Sequence, residues 1–303
     1  MGARMPRYTT GVFYHPSFSR RSYLTVGGRL ADFPHALDTI LKSGIVGLYR
    51  PQPVSRELLL KIHTPDLLEG VGRDPLCSTA WHSAGSVVSA GDRIALGEIT
   101  NAFAFIGAGG HHSGRDYFGG YCCFNDVALC IVNLREKPGL RRFAILDTDA
   151  HHGDGTRDLF RADPDLLHVC FCGTDYESSD GTKVDVAPPG PWEDSADGRP
   201  MDDVYFDLVS RHFPHRVREF RPDLLFWYFG FDTHQGDYGD IGLTGPCYWR
   251  IARLMRELAE EVCGGRLEVV LGGGAQRRIA TVLIPPIIQE LAGLGAGQVP
   301  ACP

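Results

Sequence analysis

The stretch Asp147-Thr148-Asp149-Ala150-His151-His152-Gly153-Asp154-Gly155 packs three carboxylates and two imidazoles into nine residues. It follows Arg142-Phe143-Ala144-Ile145-Leu146, an apolar run of the kind that forms a buried parallel strand, and the glycines end that strand. The polar groups therefore fall at a strand's carboxyl end, where open α/β sheets bind their ligands. In extended chain, residues two apart share a face, so Asp147, Asp149 and His151 point together. Carboxylate and imidazole suit Zn²⁺, which takes oxygen at roughly 2.0–2.2 Å and nitrogen at about 2.0–2.1 Å. One more carboxylate would complete a three-ligand site with a position left for water, the arrangement of a catalytic centre. Asp and Gly at a strand end also make turns. The density of ligating groups favours the metal reading, and Fe²⁺ or Co²⁺ fits the same donors.

Two other clusters belong with this one. A strand expected over Asn101–Gly107 runs into Gly109-Gly110-His111-His112-Ser113-Gly114, and two histidines among glycines are poor core residues. Neutral imidazole is the usual general base near neutral pH, and a carboxylate behind each ring fixes its tautomer, with Asp147 and Asp154 the natural partners. Gly119-Gly120-Tyr121-Cys122 follows and brings the Tyr121 ring near the pair. The apolar run Leu224–Phe229 then ends in Gly230-Phe231-Asp232, and Asp232 is the missing third carboxylate.

The elements that must position these groups alternate. Helices are expected over 30–43, 55–62, 83–96, 127–136, 201–220 and 246–263, and strands over 45–49, 166–171 and 267–271. Residues 63–65 read as a turn, 172–193 as a long irregular loop, and Gly272-Gly273-Gly274 as the turn into a last helix. This pattern implies one α/β domain over residues 1–303, an open, mainly parallel sheet with helices on both faces, and a loosely ordered tail from about 295.

Composition excludes several alternatives. A net charge of −7 with no Lys/Arg run argues against a nucleic-acid partner. Nine cysteines without a CxxC pair read as core thiols in a reducing compartment. No stretch is apolar enough for a membrane span or a signal region, so a soluble, cytoplasmic chain is expected.

The motifs Gly109-Gly110-His111-His112, Gly120-Tyr121-Cys122 with Phe124-Asn125-Asp126, Asp147 to Gly155 and Gly230-Phe231-Asp232 resemble the histone deacetylase superfamily, which includes acetylpolyamine amidohydrolases. The likeness runs from about Leu58 to Ile279. It implies an arginase-like fold and hydrolysis of an acylated amine such as acetyl-lysine or an acetylpolyamine, with zinc on Asp149, His151 and Asp232. It also implies that Asp147 backs His111 and Asp154 backs His112, with His112 the general base and His111 its electrostatic partner. Gly120 and Tyr121 would line the acyl tunnel, and a structural K⁺ or Na⁺ would sit by main-chain oxygens of Asp147, Asp149 and His151.

One departure stands out. Members of that superfamily carry a tyrosine after the last glycine-rich turn as oxyanion donor, whereas this chain reads Gly272-Gly273-Gly274-Ala275-Gln276. Losing such a donor costs about 10²–10³ in rate. Three alternatives stay open: the Gln276 amide donates, a loop tyrosine such as Tyr238 or Tyr176 reaches in, or the chain is a catalytically weak member that binds acylated ligands. Asp240, in the loop after Asp232, is the candidate partner for a substrate ammonium.

Overall fold

The computed structural model describes residues 9–20, 28–190 and 198–294. The tail from 295 lies outside the described residues. Nine strands form one sheet: β1 Thr10–Phe13, β2 Val46–Tyr49, β3 Asn101–Ala104, β4 Phe143–Asp147, β5 Leu166–Phe171, β6 Tyr176–Glu177, β7 Lys183–Val186, β8 Leu224–Phe229 and β9 Leu267–Leu271. Their order is β2-β1-β3-β9-β8-β4-β5-β7-β6. Each pairing is parallel except that of β6 with β7.

The strands are apolar runs because both faces are covered. Residues 101 and 102 of β3 pair with 267 and 268 of β9, and neighbours along a strand point to opposite faces. On one side Asn101 donates to the carbonyl of Leu291, at the end of the helix Arg277–Leu291. On the other, Glu268 meets Cys130 of the helix Asp126–Leu134, and a Cβ on Gly91 of the helix Ala80–Ala95 would crowd that thiol. The α/β architecture expected from the alternation is the one observed.

Several boundaries move for local reasons. Thr64 caps a helix, Pro65–Arg73, by accepting from the amide of Leu67, with proline in the first turn where its missing N–H costs nothing. The helix expected over 201–220 breaks at Pro214 into Met201–His212 and Pro214–Phe220. The helix expected over 30–43 shrinks to a 3-10 turn, His35–Leu37, and Asp38–Leu41. The loop expected over 172–193 contains β6 and β7. The expectation of free core thiols is corrected at one pair: Cys77 and Cys123, 46 residues apart in sequence, form a disulfide, while six other cysteines are buried and free. No helix of the described residues is long and apolar enough to cross a membrane.

Candidate active site

The strand order brings the site together. β3, β9, β8 and β4 are neighbours and run parallel, so the segments leaving their carboxyl ends meet above one edge of the sheet. β3 delivers His111 and His112, β4 delivers Asp147 to Asp154, β8 delivers Asp232 and β9 delivers Gly272 to Gly274. Strands β3 and β4, close in sequence, are separated by β9 and β8, and the crevice opens at that break, where such sheets place ligands.

Asp149, His151 and Asp232 offer donor atoms that all lie within 4.8 Å of one another. His151 Nδ1 is 3.2 Å from Asp149 Oδ1 and 3.0 Å from Asp232 Oδ2. Asp149 and Asp232 are 2% and 0% exposed, so two carboxylates face each other out of water. Burial and the Asp149 charge push Asp232 up to about 7. Hydrogen bonds to both carboxylates push His151 up to about 10. A divalent cation seated among these atoms removes the repulsion between the carboxylates, and the oxygen–nitrogen donor set suits zinc.

Behind the set stand two imidazole–carboxylate pairs. His111 Nδ1 is 2.8 Å from Asp147 Oδ2, and His112 Nδ1 is 2.6 Å from Asp154 Oδ1. Burial opposes a charge on His111, but Asp147, Asp149 and Asp232 outweigh it and raise the ring to about 9. His111 stacks on Tyr228, with centroids 4.5 Å apart, and its amide donates to the Tyr228 hydroxyl. Asp147 also lies 3.5 Å from Nε2 of the buried His168. Burial works against the Asp147 charge, and the two histidines hold its carboxyl below the ordinary value.

A cavity of about 200 Å³ opens onto these groups, walled by both histidines, Tyr121, Cys122, Tyr238 and Gly273 among others. Gly120 and Tyr121 both adopt left-handed backbone, with φ of 52° and 66°. A side chain on Gly120 would run into the His112 ring, so glycine is required there for the loop to close on it.

Three candidate residues lie elsewhere. The Gln276 side chain is exposed at the start of the helix Arg277–Leu291 and does not line the cavity; its backbone amide donates to Asp237 Oδ2 at 2.9 Å. Asp240 spends both oxygens on its own loop, accepting from the amides of Gly236 and Gly242 at 2.8 Å each, and does not line the cavity. Tyr176 is exposed on β6, beneath the Arg157 guanidinium, and is not part of the cavity wall.

Tyr238 does reach in. Its hydroxyl accepts from the amide of Gly274 at 3.0 Å. A Cβ on Gly273 would lie 2.7 Å from that hydroxyl, 2.6 Å from Asp149 Oδ2 and 2.8 Å from Asp232 Oδ2, so all three crowd one glycine. The loop is held there by Asp237, which accepts from the amides of Tyr238, Ala275 and Gln276. The buried Arg29 donates to the carbonyls of Gly272 and Gly274 at 2.7 and 2.8 Å and fixes the turn from the other side. Arg29, Asp237 and His168 were missed in the sequence reading. His168 alone carried a local signal, an imidazole in the middle of an apolar strand.

The histone deacetylase domain family matches residues 73–288. The chain belongs to the histone deacetylase family. It is 29% identical over 301 residues to a probable deacetylase of Archaeoglobus fulgidus, covering 88% of this chain and 81% of that protein. It is 28% identical to a histone deacetylase-like amidohydrolase of Pseudomonas aeruginosa, over 80% of this chain and 70% of that one. Mouse polyamine deacetylase HDAC10 is 29% identical over 70% of this chain and 33% of its own length. The solved HDA15 HD domain superposes with a TM-score of 0.79 at 21% identity, over 95% of this family member and 90% of that chain, which is a likeness of fold.

Proposed function

We propose that this chain is a metal-dependent amidohydrolase that cleaves the amide of an acylated amine, an acetyl-lysine or acetylpolyamine, with zinc on Asp149, His151 and Asp232. The observation that carries this reading is that the donor set, through Asp149 and His151, and the imidazoles of the His111–Asp147 and His112–Asp154 pairs face one cavity. Family membership and the similarity to amidohydrolases support it. A divalent ion in this donor set supplies a Lewis acid for the substrate carbonyl and makes water at the open position more acidic.

This chain's own residues do the rest. His112, turned by Asp154 so that Nε2 is free, takes the proton of the attacking water and returns it to the leaving amine. His111, held through Nδ1 by Asp147, is the electrostatic partner of His112 beside the reacting carbonyl. Tyr238 uses its oxygen to accept from Gly274, which leaves its own proton to donate to the developing oxyanion. It stands in for the tyrosine that the glycine turn lacks. Tyr121 and the loop at Gly120 wall the entrance and exclude water around the acyl group.

The test is metal analysis of the purified protein together with turnover of acetyl-lysine peptides, acetylpolyamines and simple anilides. One class should be cleaved in proportion to bound metal. A metal-loaded protein that cleaves none of them would overturn the enzymatic reading in favour of a binding protein.

A further inference from the structure

A second cluster of ligating side chains lies outside the cavity. Cys170 of β5 pairs in register with Asp185 of β7, so the two side chains sit side by side on one face of the sheet. Cys172, two residues on, returns to that face. His152, next to the site residue His151, turns the opposite way: its Nδ1 is 3.3 Å from Cys172 Sγ and 3.4 Å from Asp185 Oδ1. One donor atom from each of the four lies within 4.8 Å of the others.

Chemistry selects the occupant. Bonds of about 2.0–2.3 Å from zinc to nitrogen, oxygen and sulfur make a tetrahedron with edges of roughly 3.3 to 3.8 Å, the spacing His152 already keeps from two of its neighbours. Two sulfurs and one imidazole are soft donors, unsuited to Mg²⁺, Ca²⁺ or an alkali ion. Cys170, Cys172 and Asp185 are buried, while the His152 side chain is 38% exposed and gives an ion a way in. Arg157 holds Asp185 through both oxygens at 2.6 and 3.1 Å, which orients the carboxylate and offsets the extra negative charge of a two-thiolate site.

We propose that His152, Cys170, Cys172 and Asp185 form a second, structural site for a thiophilic divalent ion such as Zn²⁺. Binding displaces the two thiol protons to solvent and closes four protein ligands around the ion, with no position for water. The ion ties β5 and β7 to the segment that leaves β4, and so braces the backbone that presents Asp149 and His151. The smaller group Asp147, His168 and Cys170 adjoins it and shares Cys170.

The experiment is a Co²⁺ titration of the reduced, metal-free full chain, followed by absorbance, with total metal counted by mass spectrometry. Thiolate-to-cobalt charge transfer in the near ultraviolet separates this site from the proposed hydrolytic one, because Asp149, His151 and Asp232 contribute no sulfur. The expected result is a charge-transfer band saturating at one equivalent, kept in Asp232→Asn and lost in the Cys170→Ser/Cys172→Ser double variant, which falls from two bound ions to one. Should the double variant not fold, Cys172→Ser alone is expected to halve the band. Absence of the band in the fully reduced wild type, its survival in the double variant, or an undiminished band in Cys172→Ser overturns the proposal. Loss of metal from Asp232→Asn with the band retained separates this site from the proposed hydrolytic one.

Discussion

The Tyr238 hydroxyl meets the amide of Gly274 at 3.0 Å, so a side chain from the loop after β8 covers the turn after β9. In the proposed mechanism this hydroxyl is the oxyanion donor. Tyr238→Phe keeps the ring and removes the proton. It is expected to lower kcat by about 10²–10³, roughly 2.7–4 kcal/mol, with metal content and KM little changed. Gln276→Tyr, at an exposed position, is expected to leave turnover within about twofold. Steady-state kinetics on one acetylated substrate decides both, and a full-rate Tyr238→Phe enzyme would remove the hydroxyl from the mechanism.

Asp240 ties down the loop that carries Tyr238 by accepting from Gly236 and Gly242. Asp240→Ala is therefore expected to slow an acetylpolyamine and a neutral anilide by the same factor. A selective loss on the cationic substrate, measured as the ratio of the two kcat/KM values, would show that the carboxylate meets the ammonium after all.

Chelation leaves Asp149 and Asp232 buried against each other with only the His151 imidazole between them. Asp232→Asn relieves that repulsion, and its amide oxygen can still accept from Ala150 and Thr233 as Oδ1 does now, while the contact of Oδ2 with His151 is given up. In urea unfolding of chelated protein near neutral pH, the variant should be more stable than wild type by roughly 1–3 kcal/mol. Added Zn²⁺ should reverse the order, because only the wild type regains its ion at this site. An equal response of both proteins to metal would argue against Asp232 as a ligand.

His63 is buried, and burial lowers it to about 4 despite its bond to Gly114. Its Nε2 accepts from the Asn125 amide, which puts the proton on Nδ1, facing the carbonyl of Gly114 at 2.8 Å. A neutral ring thus pins both ends of the segment that carries Gly120 and Tyr121. The unfolded chain takes up a proton on this residue near pH 6.5 and the folded one only near 4. The contribution is full above the upper value and lost as pH falls through that window, to the extent of about 3 kcal/mol. Stability measured against pH should fall less steeply over that range in His63→Gln than in the wild type, and identical slopes would contradict this account.

Sequence alone determined the strand-end clusters. Asp147 to His151 follows an unbroken apolar run, and Asp232 follows another, so alternation and glycine stops placed the carboxylates and imidazoles at carboxyl ends without knowledge of the sheet. Two features were less legible locally. The short strands β6 and β7 interrupt what reads as a polar, irregular loop, and β7 carries Lys183 and Asp185 because their partners, the carbonyl of Leu166 and Arg157, come from elsewhere.

Only the tertiary structure decided which of these groups meet. The order β3-β9-β8-β4 sets residues 111, 149, 228 and 273 around one cavity with Asp232 against Asp149, and no local periodicity encodes strand order. By sequence Gln276 stands ahead of Tyr238 as a candidate donor. The turn after β9 sends the first into solvent as its helix begins, while Asp237 bonds to that same turn and swings the second over the carboxylates. Contacts across such distances are fixed by packing the sheet as a whole, and that is why the chemistry could be listed by residue type before it could be located.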